Sequence, residues 1–111
     1  MAYSLVLSLS KRQLSLLKNN TVIRNYPIAI GKSQTPTPTG HYTVVNRVPE
    51  PGGVFGAWWF GLSIPQYGIH GTSNPNSIGK EVSLGCIRMH NKDVRELASY
   101  VSVGTPVTIN R

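Results

Sequence analysis

The 111-residue chain reads as a mostly β domain, a sandwich or irregular barrel of mixed sheets with one main helix. Three observations carry that reading. Apolar residues alternate with polar ones over short runs, Gly (11) and Pro (8) punctuate those runs, and a helical period of apolar residues occurs only near the C-terminus. A chain of this length forms one domain, taken as residues 1–111, with one core and no second one.

Met1 to Ser10 reads as a strand, with Tyr3, Leu5, Leu7 and Leu9 on one side and serines on most of the other. It has no basic residue ahead of its apolar part and no small-residue cleavage site after it, so no signal peptide is expected. Lys11-Arg12 makes a turn. Gln13 to Lys18 is a second strand, Asn19-Asn20 can take the positive φ of a tight hairpin, and Thr21 to Tyr26 returns. Pro27 to Gly31 is a further short apolar strand, and the prolines of Lys32 to Gly40 forbid helix and stiffen a loop.

His41 to Val48 alternates with Tyr42, Val44 and Val48 on one side, and Pro49 to Gly53 is a loop. Val54 to Ile64 carries Phe55, Trp58, Trp59 and Phe60. Neighbours on a strand point to opposite faces, so Trp58 and Trp59 cannot both be core, and one lines a groove. Tyr67 to Ile69 is the strand that delivers His70. Asn91 suits a helix N-cap and Asp93 the positive end of the helix, with Val94, Leu97, Ala98 and Val101 following at helical spacing. Val103 to Pro106 turns the chain into a last strand at Val107 to Ile109.

A net charge of +7 makes polyanions worth considering. The cations are scattered, however, and no helix-turn-helix, zinc-finger or stacking-aromatic motif accompanies them, so nucleic acid is not the expected partner. No run approaches the roughly 18 apolar residues of a membrane helix. One cysteine precludes an internal disulfide, and Cys86 with His41, His70 and His90 lacks the close paired spacings of a zinc site, so no metal and no cofactor are expected.

That cysteine lies in the most informative stretch, Ile69 to Asp93. His70, Cys86 preceded by Gly85, and Arg88 supply the parts of a thiol acyl-transfer site: a base, a nucleophile, amide N–H groups that can face an oxyanion, and a cation for an anionic substrate. The Gly85 and Cys86 amides are the expected oxyanion donors. A nearby imidazole and several amide dipoles are expected to raise the thiolate fraction of Cys86.

The run His70-Gly71-Thr72, then Ser83-Leu84-Gly85-Cys86-Ile87-Arg88-Met89, then Asp93, resembles the signature of L,D-transpeptidase catalytic domains of the YkuD type. The resemblance extends from about Ser4 to Ile109 and includes the Thr-Pro-Thr-Gly ending at Gly40. It implies an L,D-transpeptidase-like β-sandwich with the helix behind the active-site loop, and no wall-binding module within this stretch. It also implies a cysteine acyl-enzyme that releases D-alanine from peptidoglycan stem peptides and cross-links diaminopimelate residues. The Gly71 carbonyl would hold the second ring nitrogen of His70, and Arg88 would grip a stem-peptide carboxylate. Trp58 or Trp59 would line the groove, and Ser83 and Thr72 would border it, more as loop-shaping hydroxyls than as participants. A monomer on the wall or spore-envelope side of a bacterium is expected. Two rival activities share these residues: an L,D-carboxypeptidase that uses water as acceptor, and a non-catalytic wall-binding module.

Overall fold

The computed structural model describes residues 2–111, so the Met1 end of the first expected strand lies outside it. The elements in chain order are β1 (Tyr3–Ser8), β2 (Gln13–Lys18), β3 (Thr21–Gly31), β4 (Gly40–Pro49), β5 (Trp58–Leu62), β6 (Gly68–His70), β7 (Glu81–Ser83), β8 (Ile87–Met89), α1 (Asn91–Ala98) and β9 (Pro106–Asn110). The strands pair in the order β2-β1-β9-β4-β5-β6-β8-β3-β7, and β3 also pairs with β2. The sheet therefore closes on itself, with β7 as an extra strand on β3. It is mixed, because β1–β9, β3–β7 and β6–β8 run parallel and the other pairs antiparallel.

Two long strands make the closure possible. β3 lies along β2 from Thr21 to Pro27 and then along β8 at Ile28 and Ala29, and β4 passes from β9 to β5 near Val44. Each belongs to two sheets and turns a corner between them. Pro27 is thus interior to one strand rather than the start of a new one. It falls where β3 changes partner, at the last pair with β2, so its missing N–H interrupts no continuous ladder. The hairpin before it turns on Asn19 and Asn20, at φ 52° and 68°, the left-handed pair that a two-residue connection demands.

Other boundaries differ from the sequence expectation for local reasons. The β4–β5 register slips between Val44 and Asn46, and this bulge reverses the phase of everything beyond it. Val48 is therefore 42% exposed while Val44 is buried. Val54 and Phe55 belong to a short 3-10 turn that begins at Gly53 and is flanked by Gly52 and Gly56, all three glycines at positive φ, so β5 begins only at Trp58. β6 starts one residue later than expected and includes His70 itself. β7 and β8, three residues each, are too short to leave a periodicity. His90, not Asn91, occupies the helix N-cap, and it makes no side-chain cap.

The core is one cluster. Leu5, Leu7, Leu14, Leu16, Ile28, Phe60, Ile69, Ile87, Met89 and Ile109 fill the barrel, and Val94, Leu97 and Ala98 of α1 join them. Each fully buried aliphatic side chain contributes about 1.5–3 kcal/mol. Two polar contacts fasten α1 from outside: the Tyr26 hydroxyl donates to Glu96 Oε1 at 2.5 Å, and Arg47 Nη2 donates to the Ala98 carbonyl at 2.8 Å. Phe60, Ile69 and Ile87 form one cross-strand row on the core face, and residues one step along each strand must face the other way.

Candidate active site

That opposite row is Trp59, His70 and Arg88, in register across β5, β6 and β8. Cys86 stands immediately before β8, where the same parallel register sets it beside Gly68. Its thiol donates to the Gln66 carbonyl at 3.6 Å, and the Gly68 amide faces the sulfur. Gly68 is required by close approach: a Cβ there would lie 2.6 Å from Cη2 of Trp59. The indole thus lies over a bare stretch of β6, stacked at 18° and 5.7 Å on the His70 imidazole. Phe55 meets both rings edge-on, at 5.1 Å from Trp59 and 5.2 Å from His70.

His70 is 5% exposed, and its Nδ1 lies 2.5 Å from the Gly71 carbonyl oxygen. A carbonyl only accepts, so the ring proton sits on Nδ1 and Nε2 is left with its lone pair. Burial pushes the imidazole pKa below its ordinary value, the Gly71 carbonyl partly opposes this, and the Arg88 charge adds to the lowering. Burial likewise pushes the Cys86 thiol up, and the Gly68 amide and Arg88 only partly offset it. The resting pair is therefore neutral thiol and neutral imidazole. This corrects the expectation of an enriched thiolate: the desolvation of a half-buried sulfur outweighs the dipoles around it.

The loop carrying Cys86 is held by hydroxyls. Ser83 Oγ donates to the Cys86 carbonyl at 2.6 Å and accepts from the Gly85 amide at 3.0 Å. Thr37 Oγ1 donates to the Gly85 carbonyl at 2.8 Å and accepts from the Gly31 amide at 2.9 Å, while Thr35 Oγ1 donates to the Ser83 carbonyl. Gly85 sits at φ 120°, and a Cβ on it would meet Cε1 of Tyr67 at 2.5 Å, so only glycine fits. Its amide is already bonded, which corrects its expected place as an oxyanion donor. Among the described residues the Cys86 amide, unlike that of Gly85, makes no hydrogen bond.

Ser83 and Thr72 are 1% and 4% exposed and turned inward, so neither is a hydroxyl presented to a ligand. Thr72 Oγ1 accepts from the Asn74 amide at 2.9 Å and its backbone is bonded to Asn91. Trp58 is the one of the two tryptophans that turns away from His70. It lies on the other face of β5, stacked on Phe60 at 16° with the Arg47 guanidinium 4.9 Å from its ring, whereas Trp59 stacks on His70 and lies over Gly68.

Arg88 is half-buried beside His70. The ion pairs among the described residues engage Glu50, Glu81, Asp93 and Glu96, all four carboxylates of the sequence, and none reaches Arg88. A cavity of about 470 Å³ lies against the 32–39 loop, and Cys86 is not part of its lining. A smaller one of about 330 Å³, lined by Val48, Pro51, Phe55 and Trp59, adjoins the His70 side. The sequence offered no signal for Gln66, which takes φ 73° without being glycine, and hid Thr37 in a proline-rich loop. Phe55 and Asn91 read in the sequence as a strand residue and a helix cap, and they lie instead in the 3-10 turn and in the first position of α1.

The closed mixed sheet thus presents on one face a cysteine, a carbonyl-tethered histidine and an arginine that has no ion pair among the described residues. The L,D-transpeptidase catalytic domain model, YkuD, matches residues 2–109, and the chain belongs to that family. It is 60% identical over 109 residues to the Bacillus subtilis (strain 168) protein provisionally named L,D-transpeptidase YkuD, covering 98% of this chain and 66% of that one. A Bacillus licheniformis counterpart is 57% identical and is covered to 65%, so the chain spans just under two thirds of these relatives. The fold matches an L,D-transpeptidase from Mycobacterium smegmatis at a TM-score of 0.86 and 20% identity, over 98% of this chain and 58% of that one. It also matches the catalytic domain from E. faecium L,D-transpeptidase at 0.84 and 25% identity, over 97% and 96%.

Proposed function

We propose that the chain is an L,D-transpeptidase that acts on peptidoglycan stem peptides through a Cys86 acyl-enzyme. The observation that carries this reading is the His70–Gly71 contact: it directs the free Nε2 lone pair of a neutral imidazole away from its tether, on the face that also holds the thiol.

In the forward step Nε2 takes the Cys86 proton as the sulfur attacks the carbonyl of the diaminopimelate that precedes the terminal D-alanine. Proton transfer and attack are coupled, because neither group is ionised beforehand. The Cys86 amide stabilises the oxyanion. The imidazolium then gives its proton to the departing D-alanine amine, leaving a thioester. The side-chain amine of a second stem attacks the thioester, His70 takes the amine proton, and the thiolate leaves and is reprotonated. Arg88, without a carboxylate partner of its own, holds an anionic group of the stem by its planar fork.

Transfer is favoured over hydrolysis by the apolar pocket of Val48, Pro51, Phe55 and Trp59, which keeps water from the His70 side and gives an acceptor a wall to lie against. The reading places the protein at the bacterial cell wall. Incubation with tetrapeptide muropeptides and mass analysis of the products tests it: free D-alanine with cross-linked dimers is expected. Unchanged tetrapeptide at every enzyme concentration would leave the chain a non-catalytic relative.

A further inference from the structure

Asn91 was expected to cap α1, yet its carboxamide points away from the helix. Oδ1 accepts from the Ala57 amide at 3.0 Å and from the Thr72 amide at 3.1 Å, and Nδ2 donates to the Thr72 carbonyl at 3.0 Å. Two N–H donors and one carbonyl acceptor admit a single orientation of the amide group. Room for it is made by two glycines: a Cβ on Gly56 or Gly71 would stand 2.2 or 2.1 Å from Oδ1. The side chain thus sits in a slot between the entry to β5 and the exit of β6.

The consequence comes from peptide geometry. The Thr72 N–H and the Gly71 C=O belong to one planar trans unit, so fixing the direction of one fixes the other. Asn91 holds the N–H, and the C=O of the same unit accepts the His70 Nδ1 proton. No carboxylate is available for that task, since all four are in ion pairs elsewhere.

We propose that Asn91 is a positioning residue which, through the Gly71–Thr72 peptide plane, selects the Nδ1–H tautomer and the orientation of His70. The proposal rests on His70 serving as the base. It is nevertheless tested by the state of the ring itself, which is read without reference to turnover.

The measurement is the two-bond ¹H–¹⁵N correlation of the His70 ring at neutral pH, together with the rate of Cys86 alkylation by iodoacetamide. In the unmodified protein the Nδ1–H form is expected alone. Asn91→Ala should give a mixture of tautomers and slow alkylation about tenfold, whereas Asn91→Asp, which keeps the oxygen acceptor, should retain the Nδ1–H form. A folded Asn91→Ala with the native tautomer and rate overturns the proposal. If Asn91→Ala does not fold, Asn91→Asp decides: a folded Asn91→Asp that has lost the Nδ1–H form overturns it equally, and one that retains it supports it. Failure of the acyl-enzyme reading would show separately, as an intact His70 tautomer in a protein that never acts on muropeptides.

Discussion

His70 and Arg88 sit side by side on adjacent strands, and the charge of Arg88 adds to the lowering of the imidazole's proton affinity that burial causes. Because the folded imidazole pKa is depressed, the base stays neutral below the ordinary imidazole value of about 6.5. The acid limb of Cys86 alkylation should therefore fall below that pH. Replacing Arg88 by Ala removes a lowering influence on both groups, so the limb should move upward and the thiol should ionise less readily. Alkylation at neutral pH should slow only a few-fold. Acylation by a stem peptide should fall about ten- to a hundredfold, since a charge-assisted contact is worth about 1.5–3 kcal/mol. A pH series of alkylation rates on both proteins checks this, and an acid limb at or above 6.5 in the native protein would contradict it. The chemistry-bearing residue types were legible in the sequence because His70, Gly85, Cys86 and Arg88 fall within twenty residues. Their protonation states were not, because burial is a property of the surrounding fold.

Strand β5 divides its two tryptophans between faces, and the division predicts different failures. Trp58→Ala removes a ring packed on Phe60 and Arg47, and should cost roughly 3 kcal/mol of stability with little loss of turnover per folded molecule. Trp59→Ala removes the surface on which His70 stacks, and should leave the unfolding midpoint nearly unchanged while reducing acylation. Urea unfolding and product assays on the two variants separate these roles, and equal behaviour in both would undo the assignment of faces. Alternation told that the two rings part company but not which of them turns outward. That depended on the Val45 bulge and on the late start of β5 after a glycine-rich turn, both set by tertiary pairing. The turn between β2 and β3, by contrast, was readable to the residue, because Asn19-Asn20 encodes its own turn type. The helix was readable too, though not its cap, since Asn91 found stronger partners in the neighbouring strands' connections.

At the scale of the whole molecule, the four carboxylates are all paired, and seven of the eleven Lys and Arg side chains are left without an ion pair among the described residues. That excess suits an anionic matrix, and no helix among the described residues is long and apolar enough to cross a membrane. The buried His70 also links stability to pH. Its folded pKa is depressed, so the unfolded chain takes up the proton first, and stability is lost as pH falls below about 6.5. With tetrapeptide donor and excess amine acceptor, dimers should outnumber tripeptides, and Phe55→Ala, which opens the apolar pocket, should shift the ratio toward tripeptide. An unaltered ratio would remove that pocket from the account of transfer. The central claim is covalent chemistry at Cys86, and intact-protein mass spectrometry after mixing with a tetrapeptide stem tests it most directly. The native protein should gain the mass of the tripeptide acyl group with release of one D-alanine, and Cys86→Ala should gain nothing. D-alanine release that persists in Cys86→Ala, or an adduct on any other residue, would contradict it.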